Sequence, residues 1–346
     1  MSNSLVEYLN GFSEAEWLAA VEALLPEIHE IDRNAVQIWF RFYPLGLKRH
    51  LDEAEDRDEA AKGVALQGDS ELAGQIDTSH HFLYGHRFWP TVKRKIEKHA
   101  ESLSEPETPL IEIIKTIGCE SARKLSVERP LVNAIAAVGL MTLNQVGLDA
   151  FKAATGEVEK PTGLMTKSPE KIVDQRKQDD SQGLFGFLKT VDKKFSVAFA
   201  GPYCAGKFPI IAEEEVASAS QKDHSRDWKA IDPRCWEGPV PIECTAASCG
   251  TCWVGVLGGQ EKLSPVARRE RRQMKVFGYN QPDDEQPLLR LACQARATGN
   301  VTIVIPPWNG VFGKKVYGNV EEVELEPVTT SAKHLRETIA SATTSE

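Results

Sequence analysis

The chain has 346 residues, a hydrophobic content of 41%, a charged content of 26% and a formal net charge of −9. This composition is typical of soluble globular proteins, and the length favours about two domains. The negative net charge disfavours nonspecific binding to nucleic acid or to an anionic membrane, so no nucleic-acid partner is expected.

The N-terminal sequence, MSNSLVEYLNGF, contains neither a basic segment nor a long apolar segment, so no secretory signal is predicted. Residues 131–148 have about the length of a membrane span but contain Asn133, Thr142, Asn144 and Gln145. We interpret them as a buried core helix, with membrane contact as the lesser alternative, and predict no transmembrane segment. A cytoplasmic, reducing location is the default, where cysteines are metal ligands or free thiols more often than disulfides.

Residues 1–154 are predicted to form an all-helical domain. Ser13 and Glu16 have the spacing of a capping box, and apolar residues follow them at helical period. Pro26 is predicted to end or kink this helix. Residues 52–69 are highly charged and predict a loop or a solvated helix. Further helices are predicted at residues 32–42, 78–102, 109–125 and 131–153.

The pattern changes after this helical region. Residues 155–190 are rich in Gly, Pro, Ser and charge, and predict an interdomain linker. Residues 191–327 contain short runs rich in β-branched residues and bounded by Gly or Pro, which indicate a β-rich domain. Its strands are predicted at 195–200, 207–211, 252–259 and 301–307, with a helix at 267–278. Residues 328–346 are predicted to form a polar tail with a short helix at 331–342.

Three cysteines lie within nine residues, in the segment CTAASCGTC at 244–252. A fourth ligand could come from Cys119, Cys204, Cys235 or Cys293. With Cys293 the spacing is C-x4-C-x2-C-x40-C, which fits the plant-type pattern of a [2Fe–2S] cluster. The intervening residues are small, so backbone amides could approach the sulfurs, and Gly250 would allow the closest approach. A distant strand would then supply the fourth thiolate.

A structural zinc site is the alternative to an iron–sulfur cluster. Such a site usually combines two C-x2-C pairs, or one pair with histidines. The chain has one C-x2-C, and no histidine lies between Ser225 and Ser331. The pattern therefore favours the [2Fe–2S] cluster, with Cys204 and Cys235 as spare thiols.

The segments CTAASCGTCWVGVLGGQEKLSP and LLRLACQARATGNVTIVIPP closely resemble the [2Fe–2S] ferredoxin family, and RLACQ resembles its adrenodoxin-like branch. The resemblance is strong over residues 239–307 and does not extend to residues 1–190. It implies a β-grasp fold, a one-electron carrier, and cluster ligation by Cys244, Cys249, Cys252 and Cys293. The expected fold class is α+β, with an all-helical N-terminal domain followed by a β-grasp [2Fe–2S] ferredoxin-like domain.

The chain departs from the family pattern in three places. Residues 213–244 are long enough to contain an insertion, and residues 280–287 are predicted to form a projecting loop. The helix after the cluster loop, usually acidic in adrenodoxin-like carriers, is basic here. It contains Arg268, Arg269, Arg271, Arg272 and Lys275 against Glu270. An acidic patch on a redox partner could dock there; a solvated helix face without a partner is the alternative.

Two other motifs are weaker indications of a functional site. GPYCAGKF at 201–208 fits the start of a phosphate-binding loop, but Phe208 stands where Ser or Thr is required. His80, His81 and His86 lie among aromatic residues, but no E-x-x-H pair or haem-attachment motif accompanies them, so we interpret them as core or surface histidines.

The sequence therefore predicts an electron-transfer protein, with no catalytic residues identified. Its helical domain would dock the cluster domain to one redox donor or acceptor, or to one complex. The first alternative is the iron–sulfur component of an oxidoreductase, whose helical domain holds a substrate or a second cofactor. The second alternative is a redox sensor.

Overall fold

The structure is a computed structural model that describes residues 4–102, 108–178, 193–279 and 285–318. The chain divides into two compact units. The first comprises Met1–Arg49 and Ser70–Gln175, and the second comprises His50–Asp69 and Arg176–Glu346. The described part of the first unit is helical, and the second unit contains the sheet. This arrangement confirms the predicted order of a helical region followed by a sheet-containing region, within the α+β class.

The helices up to residue 178 agree in most places with the apolar periodicity. The Ser13 hydroxyl accepts from the Glu16 amide at 3.3 Å, and the Ser13 amide donates to the Glu16 carboxylate at 2.7 Å, which confirms the capping box. Pro26 lies in a 3-10 turn directly after that helix. The helices are α1 (Ser4–Asn10), α2 (Glu14–Leu24), α3 (Glu30–Phe42), α4 (Leu45–Asp52), α5 (Arg57–Gly63), α6 (Trp89–Ser102), α7 (Leu110–Leu125), α8 (Pro130–Ala153) and α9 (Pro169–Lys177).

Helix α8 lies at the centre of the first unit, packed against α6 and α7. Among the described residues it alone is long and apolar enough to cross a membrane, and 78% of its 18-residue apolar window is buried within the protein. Its interpretation as a buried core helix is confirmed. Gly147, with φ of 76°, interrupts the helical backbone near the C-terminal end.

The helix predicted at 78–102 is shorter in the structure. Turns and a 3-10 segment at Tyr84–Phe88 precede α6, which begins at Trp89. The buried Asp32 carboxylate accepts from the amides of Tyr84 and Gly85 at 2.7 and 2.8 Å. These bonds come from another helix and hold the backbone out of the helical path, so local periodicity could not indicate them.

The segment His50–Asp69 belongs to the second unit, although it lies within the predicted helical domain. Part of it is α5, capped by Asp56, which agrees with the predicted solvated helix. The remainder includes a two-residue strand, β1 (Gln67–Gly68), which pairs antiparallel with β9 (Trp308–Asn309). So short a strand has no periodicity that the sequence could display.

Part of the predicted linker packs in the first unit. Ile172 of α9 is fully buried in a cluster with Ile31 and Tyr84. The unit boundaries therefore differ from the predicted ranges 1–154, 155–190 and 191–327. Residues 179–190 of the linker, residues 280–284 of the predicted loop, the end of the second domain and the tail with its helix at 331–342 lie outside the described residues.

The second unit contains a five-stranded mixed sheet, and all four predicted strands are present in it. Its strands are β2 (Lys194–Ala200), β3 (Ala205–Ile211), β5 (Trp253–Gly258), β6 (Leu289–Leu291) and β8 (Val301–Val304). Their order in the sheet is β3-β2-β8-β5-β6. β2 and β3 form a hairpin, β2 and β8 run parallel, and β5 is antiparallel to both β8 and β6.

Short elements surround this sheet. The predicted helix at 267–278 is α12 (Arg268–Phe277), which packs against β6 and α13 (Gly313–Tyr317). The segment predicted to contain an insertion includes two short helices. The remaining elements are α10 (Val216–Gln221), α11 (Trp228–Ile231), β4 (Glu214–Glu215) and β7 (Arg296–Ala297).

Candidate metal centre

Strand pairing brings the most distant cysteine to the cysteine-rich loop. β5 begins directly after Cys252 and pairs with β6, with Trp253 opposite Leu291. The Ala292 amide then donates to the Cys252 carbonyl at 2.9 Å, and Cys293 is the next residue. The structure therefore places Cys293 beside the loop that contains the other three cysteines.

The four thiols influence one another's pKa values in two pairs. A bond from the Cys249 thiol lowers the pKa of Cys244 to about 5, and the same bond raises the pKa of Cys249. The Cys252 thiol is paired with Cys293 in the same way, which lowers the pKa of Cys293 and raises that of Cys252. One member of each pair is thus disposed to be a thiolate, the form in which cysteine binds metals.

Backbone amides of the loop also donate to the sulfurs. The Ser248 amide and hydroxyl both lie 3.4 Å from Cys244 Sγ. Besides the partner thiols, the Ala246 amide contributes to the low pKa of Cys244, and the Ala247 amide contributes to that of Cys293. Small side chains permit this close approach, as the loop composition predicted. The donors would stabilise negative charge on the sulfurs of a bound cluster.

Position 250 requires a glycine because of its backbone conformation and the side chain packed against it. Its φ is 72°, and a Cβ there would lie 3.2 to 3.3 Å from atoms of the Phe277 ring. The Tyr279 hydroxyl lies 2.8 Å from the Gly250 carbonyl and 3.0 Å from the Gly310 carbonyl, and its single proton serves both acceptors. The Tyr279 ring stacks on Trp253 with centroids 4.2 Å apart. A buried aromatic group therefore supports the loop from behind.

Glu270 fixes α12 to the segment that leads to Cys293. Its buried carboxylate accepts from the Arg290 guanidinium at 2.8 and 3.0 Å and from the Leu291 amide at 2.9 Å. In the sequence, Glu270 is one negative charge on a basic helix. Its partner lies 20 residues away along the chain, and no local pattern indicated the pair.

Solvent reaches the thiols from one side. Cys244 and Cys252 are each 1% exposed and Cys293 is 0% exposed, whereas Cys249 is half-buried. Thr245, next to the first cysteine, is exposed. The opening therefore lies on the side of Thr245 and Cys249.

The other three cysteines lie outside the two thiol pairs. The Cys235 thiol donates to the Pro239 carbonyl at 3.2 Å, and burial raises its pKa to about 12, so it stays protonated. Cys204 and Cys235 share the lining of a small cavity with Phe199 and Trp228. Cys119 lies on α7 in the first unit.

The donor set fits an iron–sulfur cluster. Four cysteines are the ligands that a [2Fe–2S] cluster uses, and Cys244, Cys249, Cys252 and Cys293 interact with one another. The Ser248 amide and hydroxyl donate to a sulfur of this set, as they would to a sulfur bound to a charged cluster. The residues present therefore fit a [2Fe–2S] cluster.

The phosphate-loop alternative is excluded by the hairpin. Residues 201–204 connect β2 to β3, and Lys207 lies within β3 rather than at the start of a helix. Phosphate binding of the expected kind needs a helix N-terminus after the glycine-rich loop.

The histidines lie inside the first unit. His80 and His86 approach each other at 2.8 Å between their Nδ1 atoms, and the His80 ring packs on Trp89 with centroids 4.4 Å apart. Burial lowers the pKa of both rings, that of His86 to about 4, so both are neutral at pH 7. This arrangement agrees with their interpretation as core histidines.

Residues 234–298 match the family of 2Fe-2S iron-sulfur cluster binding domains. The match includes Cys244, Cys249, Cys252 and Cys293, lies wholly in the C-terminal half, and confirms the resemblance to [2Fe–2S] proteins. This region is therefore a domain of the kind that binds a [2Fe–2S] cluster. Searches of curated proteins and of solved structures returned no match.

Proposed function

We propose that the protein transfers single electrons through one [2Fe–2S] cluster held by Cys244, Cys249, Cys252 and Cys293. The observation that carries this proposal is that strand pairing places Cys293 beside the loop of Cys244, Cys249 and Cys252, where the Ser248 amide faces a sulfur. When bound, the cluster supplies reversible one-electron exchange at low potential, of the order of −400 mV for plant-type clusters.

The residues around the site have distinct tasks in this proposal. The Ser248 amide and hydroxyl offset negative charge on sulfur, and the buried thiols exclude water from most of the site. The exposed Thr245 and the half-buried Cys249 leave the side on which a redox protein can approach. No proton or substrate group is needed at any step, so no catalytic residue is assigned.

A β-grasp fold for the cluster domain is part of the same proposal. A mixed five-stranded sheet supports it, with parallel β2 and β8 at its centre and α12 packed beside β6. A cytoplasmic location is also proposed, since all seven cysteines are free thiols and the four in the site must stay reduced.

The helical unit is proposed to dock the cluster domain to a particular redox donor or acceptor. An acidic patch on that partner would meet the helix that contains Arg268, Arg269, Arg271 and Arg272. In the first unit, the ring nitrogens Nδ1 of His80 and His86 contact each other.

The test is optical absorption and low-temperature EPR of anaerobically purified protein, before and after dithionite, with iron and zinc quantified. Two irons per chain and an S = 1/2 signal after reduction are expected. Cys293→Ser should lose or strongly alter the cluster, whereas Cys235→Ser, whose thiol bonds to Pro239, should leave it unchanged.

Zinc without iron would overturn the proposal. A cluster that survives Cys293→Ser but not Cys235→Ser would show that the ligand set is wrong. A haem, flavin or di-iron signal beside the cluster would support the enzyme-component alternative instead. Partner affinity that differs between the oxidised and reduced protein would support the sensor alternative.

A further inference from the structure

Two adjacent helices of the second unit share a positively charged surface. Arg268, Arg272 and Lys275 are exposed on α12 at helical spacing, so they lie along one face. Lys314 and Lys315 are exposed on α13. We call these five residues the basic surface.

The ends of α12 and α13 contact each other, so the basic surface is continuous from one helix to the other. The Phe312 amide donates to the Phe277 carbonyl at 3.1 Å, and Gly278 and Gly313 pack backbone to backbone. Glu270 is the one acidic residue in α12 and α13 together; it is 1% exposed and forms an ion pair with Arg290. The outward charge of the two helices is therefore positive on a chain whose net charge is −9.

The chain itself contains a complementary segment directly after α13. Residues 319–332 include Glu321, Glu322, Glu324 and Glu326 and contain no Lys or Arg. We infer that this acidic segment docks on the basic surface of its own chain. The inference does not depend on the proposed electron transfer.

Chain length supports this occupant. Glu321 is three positions after Gly318, the last described residue, and an extended chain spans up to about 10 Å over that distance. Glu326 is five residues further on, so the segment can extend along α12, whose ten residues make a helix about 15 Å long.

Single surface ion pairs contribute little, so the docking must depend on several charges at once. Four carboxylates meet five cations, and the covalent connection gives the segment an effective concentration in the millimolar range. The contacts are exposed to solvent and are therefore weakened as salt shortens the Debye length from about 8 Å at 0.15 M. An acidic partner protein would have to displace the segment.

Carbodiimide cross-linking of the full chain at low salt tests the contact directly. The reagent joins a carboxyl to an amine as an amide, and mass spectrometry identifies the linked peptides. Lys275 is the informative amine, because Lys314 and Lys315 lie so near in sequence that proximity alone would link them. Links from Lys275 to the acidic segment are expected, with yields about fivefold lower at 0.5 M salt. Mixing ¹⁵N-labelled and unlabelled protein separates links within one chain from links between chains.

A labelled peptide of residues 319–328 gives a second readout by fluorescence anisotropy. The full-length variant E321Q/E322Q/E324Q/E326Q should bind this peptide at least about tenfold more tightly than the wild type, because its own segment no longer competes. Adding R268Q and R272Q to that variant should abolish the binding. The control E22Q/E128Q/E157Q/E159Q makes the same charge change on exposed residues of the first unit and should behave as the wild type.

Absence of any link from Lys275 to the segment would overturn the inference. Equal binding of the peptide by the wild type and the segment variant would also overturn it, and would show a surface open to an acidic partner. Cluster absorbance, recorded for every variant, shows separately whether the metal site is intact.

Discussion

Each unit gathers side chains of a kind that binds metals, but the two groups are built differently. In the second unit, the Cys244 sulfur receives two bonds from Ser248, and the half-buried Cys249 leaves an opening to solvent. In the first unit, His80 and His86 bond to each other, and His80 is covered by Trp89. Residue type alone therefore does not identify a metal site. Backbone and hydroxyl donors to the sulfur distinguish the cysteine group from the histidine group.

Removing the cluster should produce the largest difference in amide exchange between the two units. With acid and a chelator, we expect amide exchange in β5 and β8 to accelerate at least about 100-fold, because metal binding is part of the folding energy of the site. Helices α7 and α8 should keep their protection. Hydrogen–deuterium exchange with mass spectrometry measures both, and an equal loss in the two units would contradict the comparison.

Breaking the buried pair behind the cysteine site should have the next largest effect. Glu270→Gln leaves the Arg290 charge buried without its counter-ion, which costs about 3–5 kcal/mol. The matched control is Glu101→Gln in the first unit, whose pair with Lys152 is exposed to solvent and should contribute little to stability.

Urea unfolding at constant m-value measures the two differences. The double variant E270Q/R290M should recover much of the loss, since it removes the unpaired charge. A Glu270→Gln effect no larger than that of Glu101→Gln would show that the pair does not stabilise the site.

The histidine group should make the folding stability depend on pH. His86 has a folded pKa of about 4 against about 6.5 when unfolded, so the unfolded chain binds more protons between these values. Stability is therefore full above about pH 6.5 and is lost as the pH falls toward 4. From pH 7 to pH 5 the loss due to His86 is about 2 kcal/mol.

His86→Gln should reduce this dependence, measured as the urea midpoint at each pH. His224→Gln, at an exposed position of the second unit, is the control and should leave it unchanged. An unaltered pH dependence in His86→Gln would mean that this ring does titrate normally in the fold.

Tyr279→Phe should have the smallest effect on stability, about 1 kcal/mol, because it removes one buried hydroxyl that serves Gly250 and Gly310. It should also shift the reduction potential, since the Gly250 backbone then loses a constraint beside the cysteines. Tyr8→Phe, which loses an exposed bond to Thr108, is the control for stability and should leave the potential unchanged. A potential identical to that of the wild type would limit Tyr279 to a packing contribution.

The sequence predicted the elements that depend on local pattern. The capping box at Ser13, the buried helix α8 and the strand pair β2 and β3 each repeat an arrangement that short-range physics dictates. The cysteine spacing predicted that Cys293 lies beside the cysteine-rich loop. Strand pairing can place residues that are distant in sequence next to each other in this way. Its use as a ligand stays a prediction.

The features that the sequence did not predict depend on contacts between distant segments. Asp32 displaces the start of α6, β1 pairs with a strand near the other end of the described chain, and Glu270 pairs with Arg290. A single acidic residue looks alike whether it is solvated or buried against a guanidinium. Only the tertiary fold distinguishes these cases.

The pairing of β1 with β9 has a consequence for how the protein is made and dissected. The strand at Gln67 leaves the ribosome long before its partner at Asn309, so the second unit cannot be completed until nearly all of the described chain has been synthesised. Because that unit includes His50–Asp69, no single cut separates the two units intact. A fragment of residues 1–190 would release a strand without its partner, and a fragment of residues 176–346 would lack that strand. Separating the units cleanly would require residues 50–69 to be moved in the gene so that they are continuous with residues 176–346.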